Sequence, residues 1–137
     1  MKLLLDTHVF LWALEDLDRL PGSVQTLLTA KENPLLVSVA SFWEIAIKTA
    51  AGKLVFKDPS RLASLEEWVH LIGAEMLPIS AKHALATVKL RDWLHKDPFD
   101  RMLAAQALVE DATLVTADSA LWGCPGLRWT WNRTGSG

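Results

Sequence analysis

Short apolar runs alternating with stretches of helical periodicity narrow the folds open to this chain more than any other feature of it. Leu3–Leu5, Leu35–Ser38 and residues 75–79, 113–116 and 128–131 read as strands, each a compact apolar or β-branched run between turn or capping residues. Between them lie patterns that predict helices. Residues 9–15 carry Val9, Leu11, Trp12 and Leu14, and a helix opening near Pro21 carries Val24, Leu27 and Leu28 before Asn33-Pro34 breaks it. Residues 41–51 put Phe42, Ile45 and Ala46 on one face ahead of Gly52. After a loop at 53–60, Ser64 with Glu67 forms a capping-box pattern for a helix through Ile72, and Ser80 caps another with Ala84, Leu85 and Val88. Finally Asp97 is a good N-cap, Pro98 suits the first helical position, and Asp100 falls on the third, ahead of an apolar run at 102–109. Apolar strands alternating with helices imply an α/β fold with a parallel sheet covered by helices. One domain over residues 1–131 is expected, with 132–137 as a disordered tail.

Bulk properties agree with that frame. A chain of 137 residues, half of them hydrophobic, is long enough to bury one core. The single Cys124 allows no internal disulfide, and Lys2 is followed by too few apolar residues before Asp6 for a secretory segment. The longest uncharged stretch, residues 33–43, falls well short of the roughly 18 apolar residues of a membrane span. A soluble, cytoplasmic protein is expected. The net charge of −2 does not advertise a nucleic-acid binder, although setting four particular carboxylates aside leaves a small positive balance.

Those four are Asp6, Glu44, Asp100 and Asp118, each just past an apolar run or on a helix turn that such a run leads into. A carboxylate in apolar surroundings is costly unless it is paired or coordinates an ion. In parallel sheets, functional groups collect beyond the carboxyl ends of the strands, where strand order reverses, and Asp6 and Asp118 stand at such ends. Hard cations such as Mg²⁺ and Mn²⁺ take oxygen ligands and commonly share them with substrate phosphate. Clustered acids therefore point to phosphodiester hydrolysis. His8, His70, His83 and His95 have no zinc-like spacing.

The motifs Leu3-Leu4-Leu5-Asp6-Thr7, Ser41-Phe42-Trp43-Glu44, Asp97-Pro98-Phe99-Asp100-Arg101 running into Met102-Leu103-Ala104-Ala105-Gln106-Ala107, and Leu114-Val115-Thr116-Ala117-Asp118 together resemble the PIN domain. Within that family the likeness is to VapC-type toxins of bacterial toxin–antitoxin pairs, and it runs from Lys2 to about Trp131. The resemblance implies a three-layer α/β/α fold and an endoribonuclease dependent on Mg²⁺ or Mn²⁺. It also implies a homodimer restrained by a small antitoxin protein, with Asp6, Glu44, Asp100 and Asp118 at the family's acidic positions as catalytic and metal-binding residues.

Each assignment has a structural rival. Asp6 and Asp118 could be caps or turn residues, Glu44 the exposed acid of an amphipathic helix, and Asp100 a partner of the helix dipole. Asp97 reads as a cap alone. Thr7, Ser41 and Thr116 could orient the acids by hydrogen bonding. His8 and His95 read as packing or surface residues, and Arg101 as a contact for phosphate or for a neighbouring acid. Trp12, Trp43 and Trp68 are expected in the core or in a dimer interface. A phosphoaspartyl hydrolase would want an aspartate where His8 stands, and a phosphoacceptor module an aspartate where Ser80 stands. A PIN fold that binds nucleic acid or serves as a scaffold without cleavage, and a nuclease with no antitoxin, remain as alternatives.

Overall fold

The computed structural model describes residues 1–136. Strands β1 (Leu3–Leu5), β2 (Leu35–Ser38), β3 (Ala74–Leu77), β4 (Thr113–Val115), β5 (Arg128–Thr130) and β6 (Thr134–Ser136) form one sheet in the order β3-β2-β1-β4-β5-β6. The first five are parallel, as the sequence pattern implies, and β6 adds an antiparallel edge. Helices α1 (Thr7–Glu15), α2 (Gly22–Thr29), α3 (Val39–Ala50), α4 (Leu65–Leu71), α5 (Ala81–Ala86), α6 (Pro98–Glu110) and α7 (Ser119–Trp122) cover it.

β1 is flanked on both sides, with Leu3 aligned to Leu35 and to Thr113, and all three of its leucines are fully buried. Successive strand residues face opposite ways. Leu3, Leu5 and Val115 accordingly pack with Val9 and Phe10 of α1, Val24 of α2 and Val69 of α4. Leu4 and Leu114 pack with Leu103, Ala104 and Ala107 of α6 and Leu121 of α7. The result is the three-layer α/β/α arrangement, in which burying each leucine stabilises the fold by about 1.5–3 kcal/mol.

α6 is the most enclosed helix, buried without interruption from Leu103 to Gln106 and on to Ala107. Asp97 caps it as expected, accepting from the Phe99 and Asp100 N–H groups at 2.9 and 3.0 Å. Its buried polar residue, Gln106, accepts from the Ser38 hydroxyl and donates to the Pro78 carbonyl at 3.3 Å. The carboxyl ends of β2 and β3 are thereby tied to α6.

Two local expectations are corrected. Ser64 and Glu67 form no capping box, because residues 59–64 already wind into a 3-10 turn and the Ser64 hydroxyl donates back to the Ser60 and Arg61 carbonyls. The box forms instead at Ser80, whose Oγ accepts from His83 N–H at 3.2 Å while His83 Nδ1 accepts from Ser80 N–H at 3.0 Å. Residues 134–136, expected in a disordered tail, pair with β5, with Gly135 opposite Trp129. The Trp129 ring stacks on Trp122 at 4.4 Å and presents a flat apolar face, and only glycine leaves room for the edge strand to lie against it. The remaining tail residue, Gly137, lies outside the described residues. No described helix is long and apolar enough to cross a membrane.

Candidate active site

Strand order decides where the acids meet. The chain runs from β1 outward through β2 to β3, then returns to the other side of β1 for β4, so order reverses between β1 and β4. A crevice opens beyond their carboxyl ends. Asp6, Glu44, Asp100 and Asp118 line one cleft there, of about 350 Å³, together with Lys48 and Lys53.

Asp6 directly follows β1 and is only 3% exposed. Its Oδ1 accepts from Thr7 N–H at 2.7 Å, capping α1, and its Oδ2 accepts from the Thr116 hydroxyl at 2.7 Å. The cap reading is therefore correct as far as it goes, yet it occupies only one oxygen. Burial pushes the Asp6 carboxyl above its ordinary range, against the opposing pull of His8 and Thr116. His8 Nε2 accepts from Ala117 N–H at 3.0 Å, so the neutral ring carries its proton on Nδ1, which lies 3.4 Å from Asp6 Oδ2. His8 thus bridges the ends of β1 and β4 and is no mere surface residue.

Glu44 lies on α3 and is 7% exposed, which removes the reading of it as a solvated acid. Oε1 accepts from the Thr7 hydroxyl at 2.6 Å and Oε2 from Lys48 Nζ at 2.7 Å. The Thr7 and Ser41 hydroxyls lie 2.9 Å apart. The bond to Glu44 raises the Lys48 ammonium further, so Lys48 stays charged in the cleft.

Asp100 stands on the first turn of α6 with Oδ2 2.7 Å from His95 Nε2. Burial pushes its carboxyl up to about 7; His95 opposes the shift, while Asp6, Asp97 and Asp118 add to it. Asp118 Oδ1 accepts from Ala120 N–H at 2.9 Å and caps α7, and its own N–H donates to Thr116 Oγ1 at 3.0 Å. Ligand atoms of His95, Asp100 and Asp118 lie within 4.8 Å of one another.

Sequence reasoning missed two residues that line this cleft, Lys48 and Lys53, and the contact of His95 with Asp100 at its edge. Lys48 was legible, being four residues beyond Glu44 on one helix. Lys53 and His95 sit outside regular elements and carry no periodic signal. Arg101 pairs with no acid among the described residues; its guanidinium donates to the Leu90, Trp93 and His95 carbonyls, at 2.7, 3.1 and 2.7 Å. Of the tryptophans expected in the core or in a dimer interface, Trp12 packs against the core. Trp43 is 61% exposed with its ring edge against Phe99, while half-buried Trp12 and Trp68 lie beneath Arg19 and Arg61.

The donor set fits a hard divalent cation. It is oxygen-rich, and burial and mutual repulsion hold Asp6 and Asp100 above their ordinary range, a cost that a bound cation offsets.

The family model of the PIN domain matches residues 3–121. No curated protein sequence matches the chain. Among solved structures, the chain is similar to VapBC2 from Rickettsia felis bound to a DNA fragment from their promoter, with a TM-score of 0.70, 22% identity, and 98% of this chain and 100% of that one covered. It is also similar to DNA-bound VapBC from Salmonella typhimurium, with a TM-score of 0.69, 21% identity, and 95% and 97% covered. VapBC-1 from nontypeable Haemophilus influenzae aligns with a TM-score of 0.63, 19% identity, and 95% and 97% covered. At these identities the likeness is one of fold.

Proposed function

Because the chain belongs to the PIN domain family, we propose that it is a Mg²⁺- or Mn²⁺-dependent endoribonuclease, the cytoplasmic toxin of a toxin–antitoxin pair. The observation that carries this reading is the convergence of four acids from separate elements on one cleft at the point where strand order reverses. Asp6, Glu44, Asp100 and Asp118 would hold the cation. When bound, it orients a phosphodiester, makes hydroxide available near neutral pH and neutralises charge on the leaving oxygen.

The chain's own groups prepare that site. Thr116 orients Asp6 and the Asp118 backbone, while Thr7, beside Ser41, orients Glu44. Lys48 and Lys53 give the cleft cations that would meet the phosphates of an RNA strand. Partner protection is inferred from the fold relatives, which were solved as VapBC complexes. Self-association draws on Val39, Trp43 and Ile47, which stand four residues apart on α3 and are all exposed.

Cleavage of single-stranded RNA by the purified chain, with Mn²⁺ or Mg²⁺ and with chelator, tests the reading. Asp6→Asn and Asp100→Asn should each lower the rate by orders of magnitude while the circular dichroism spectrum stays unchanged. Metal binding without any RNA cleavage would instead favour a PIN fold that binds nucleic acid and does not cut it.

A further inference from the structure

We infer that His95 is a nitrogen ligand of the cation site, so that the centre takes a mixed imidazole–carboxylate donor set and favours Mn²⁺ over Mg²⁺. This rests on the reading above that the acids hold a divalent cation. His95 does more than pack at the surface. Nε2 lies 2.7 Å from Asp100 Oδ2, and a ligand oxygen of Asp118 completes a group within 4.8 Å. In an octahedral shell with bonds near 2.1 Å, neighbouring ligands stand about 3 Å apart and opposite ones about 4.2 Å apart. The three atoms lie close enough for a cation to draw them into such a shell.

The surroundings hold His95 in place. Residues 91–97 join a 3-10 turn to α6 without helix or strand hydrogen bonds of their own. Arg101, one turn into α6, spans that gap by donating to the His95, Trp93 and Leu90 carbonyls. Trp93 packs beside the imidazole, ring centroids 5.1 Å apart, and lies 5.7 Å beneath the Arg101 guanidinium. The half-buried Arg101 is thus spent on fixing the backbone of a single loop, and that loop carries the imidazole nitrogen beside Asp100. Imidazole suits Mn²⁺ better than Mg²⁺, which prefers oxygen and sheds water reluctantly.

Pulsed electron paramagnetic resonance on the full chain loaded with Mn²⁺ alone tests this directly, because a coordinated imidazole couples its nitrogen to the metal's electron spin. The wild-type chain should show that coupling. His95→Gln should abolish it and weaken Mn²⁺ binding about tenfold, with a smaller loss for Mg²⁺, whereas His8→Gln should leave the coupling in place. Bound Mn²⁺ with no nitrogen coupling in the wild-type chain would overturn the inference and leave the acidic site standing. Coupling that survives His95→Gln and vanishes in His8→Gln would overturn it as well. Failure to bind Mn²⁺ at all would overturn both this inference and the metal-dependent reading beneath it.

Discussion

The Thr116 hydroxyl donates to Asp6 Oδ2 at 2.7 Å, joining residues 110 positions apart in the chain. The contact exists because β1 and β4 pair in parallel, with Leu5 aligned to Val115, so both residues emerge at the same edge of the sheet. The same oxygen of Thr116 accepts from Asp118 N–H, and one hydroxyl therefore organises two of the four acids.

Thr116→Val keeps the shape of this side chain and removes both hydrogen bonds. Asp6 and the Asp118 N–H then lose their partner where Thr116 is fully buried, a cost of about 1–3 kcal/mol. Urea denaturation of the metal-free chain measures it. A change under about 0.5 kcal/mol, the range of ordinary surface substitutions, would mean that the hydroxyl does not organise the acids.

Asp100→Asn acts in the opposite direction. Asp100 lies among Asp6, Asp97 and Asp118, and removing its charge relieves like-charge repulsion in the metal-free cleft. Without metal the variant should melt at the same temperature as the wild-type chain or higher, and added Mn²⁺ should raise its melting temperature less. A large metal-free loss would make Asp100 a structural residue.

Glu15 supplies the clearest pH dependence away from the cleft. Burial raises its carboxyl, but the Asp58 and Lys57 N–H groups and the Arg61 guanidinium outweigh that and hold it below the ordinary range. A depressed carboxyl binds fewer protons folded than unfolded, so its contribution is complete above the ordinary glutamate value of about 4.3 and is lost as pH falls through the folded value. Stability measured against pH should show Glu15→Gln well below wild type near neutrality and converging with it in acid. A gap that widens on acidification would refute the assignment.

Gly135→Ala tests the edge strand. A Cβ at that position falls 2.5 Å from the Trp129 ring, which cannot move freely because it is stacked on Trp122. The substitution should cost about 1–3 kcal/mol and shift tryptophan fluorescence. No effect on either would mean that residues 134–136 do not pair with β5 in solution.

Local chemistry made much of this protein legible. β1 is three consecutive leucines because a strand flanked on both sides must be apolar on both faces. Asp97-Pro98 announces the start of α6 because a cap and a fixed φ act within one turn. The four acids stand out because carboxylates next to apolar runs need a reason. Other features depend on contacts that carry no periodic signal. The Ser64 box is lost to a competing 3-10 turn, and β6 exists because Trp129 offers a flat face to a small residue. Arg101 turns inward to three carbonyls, one of them that of His95, whose ring meets Asp100.

The sequence by itself determined the strand and helix alternation, the caps and the identity of the acids, since these follow from side-chain period and from bonds between near neighbours. Only the tertiary structure decided that the chain returns beside β1 after β3. That reversal sets Asp6 against Thr116 and brings Asp118 to the same cleft as Asp6 and Asp100, because pairing between distant strands, which no local pattern encodes, determines which strand ends share an edge.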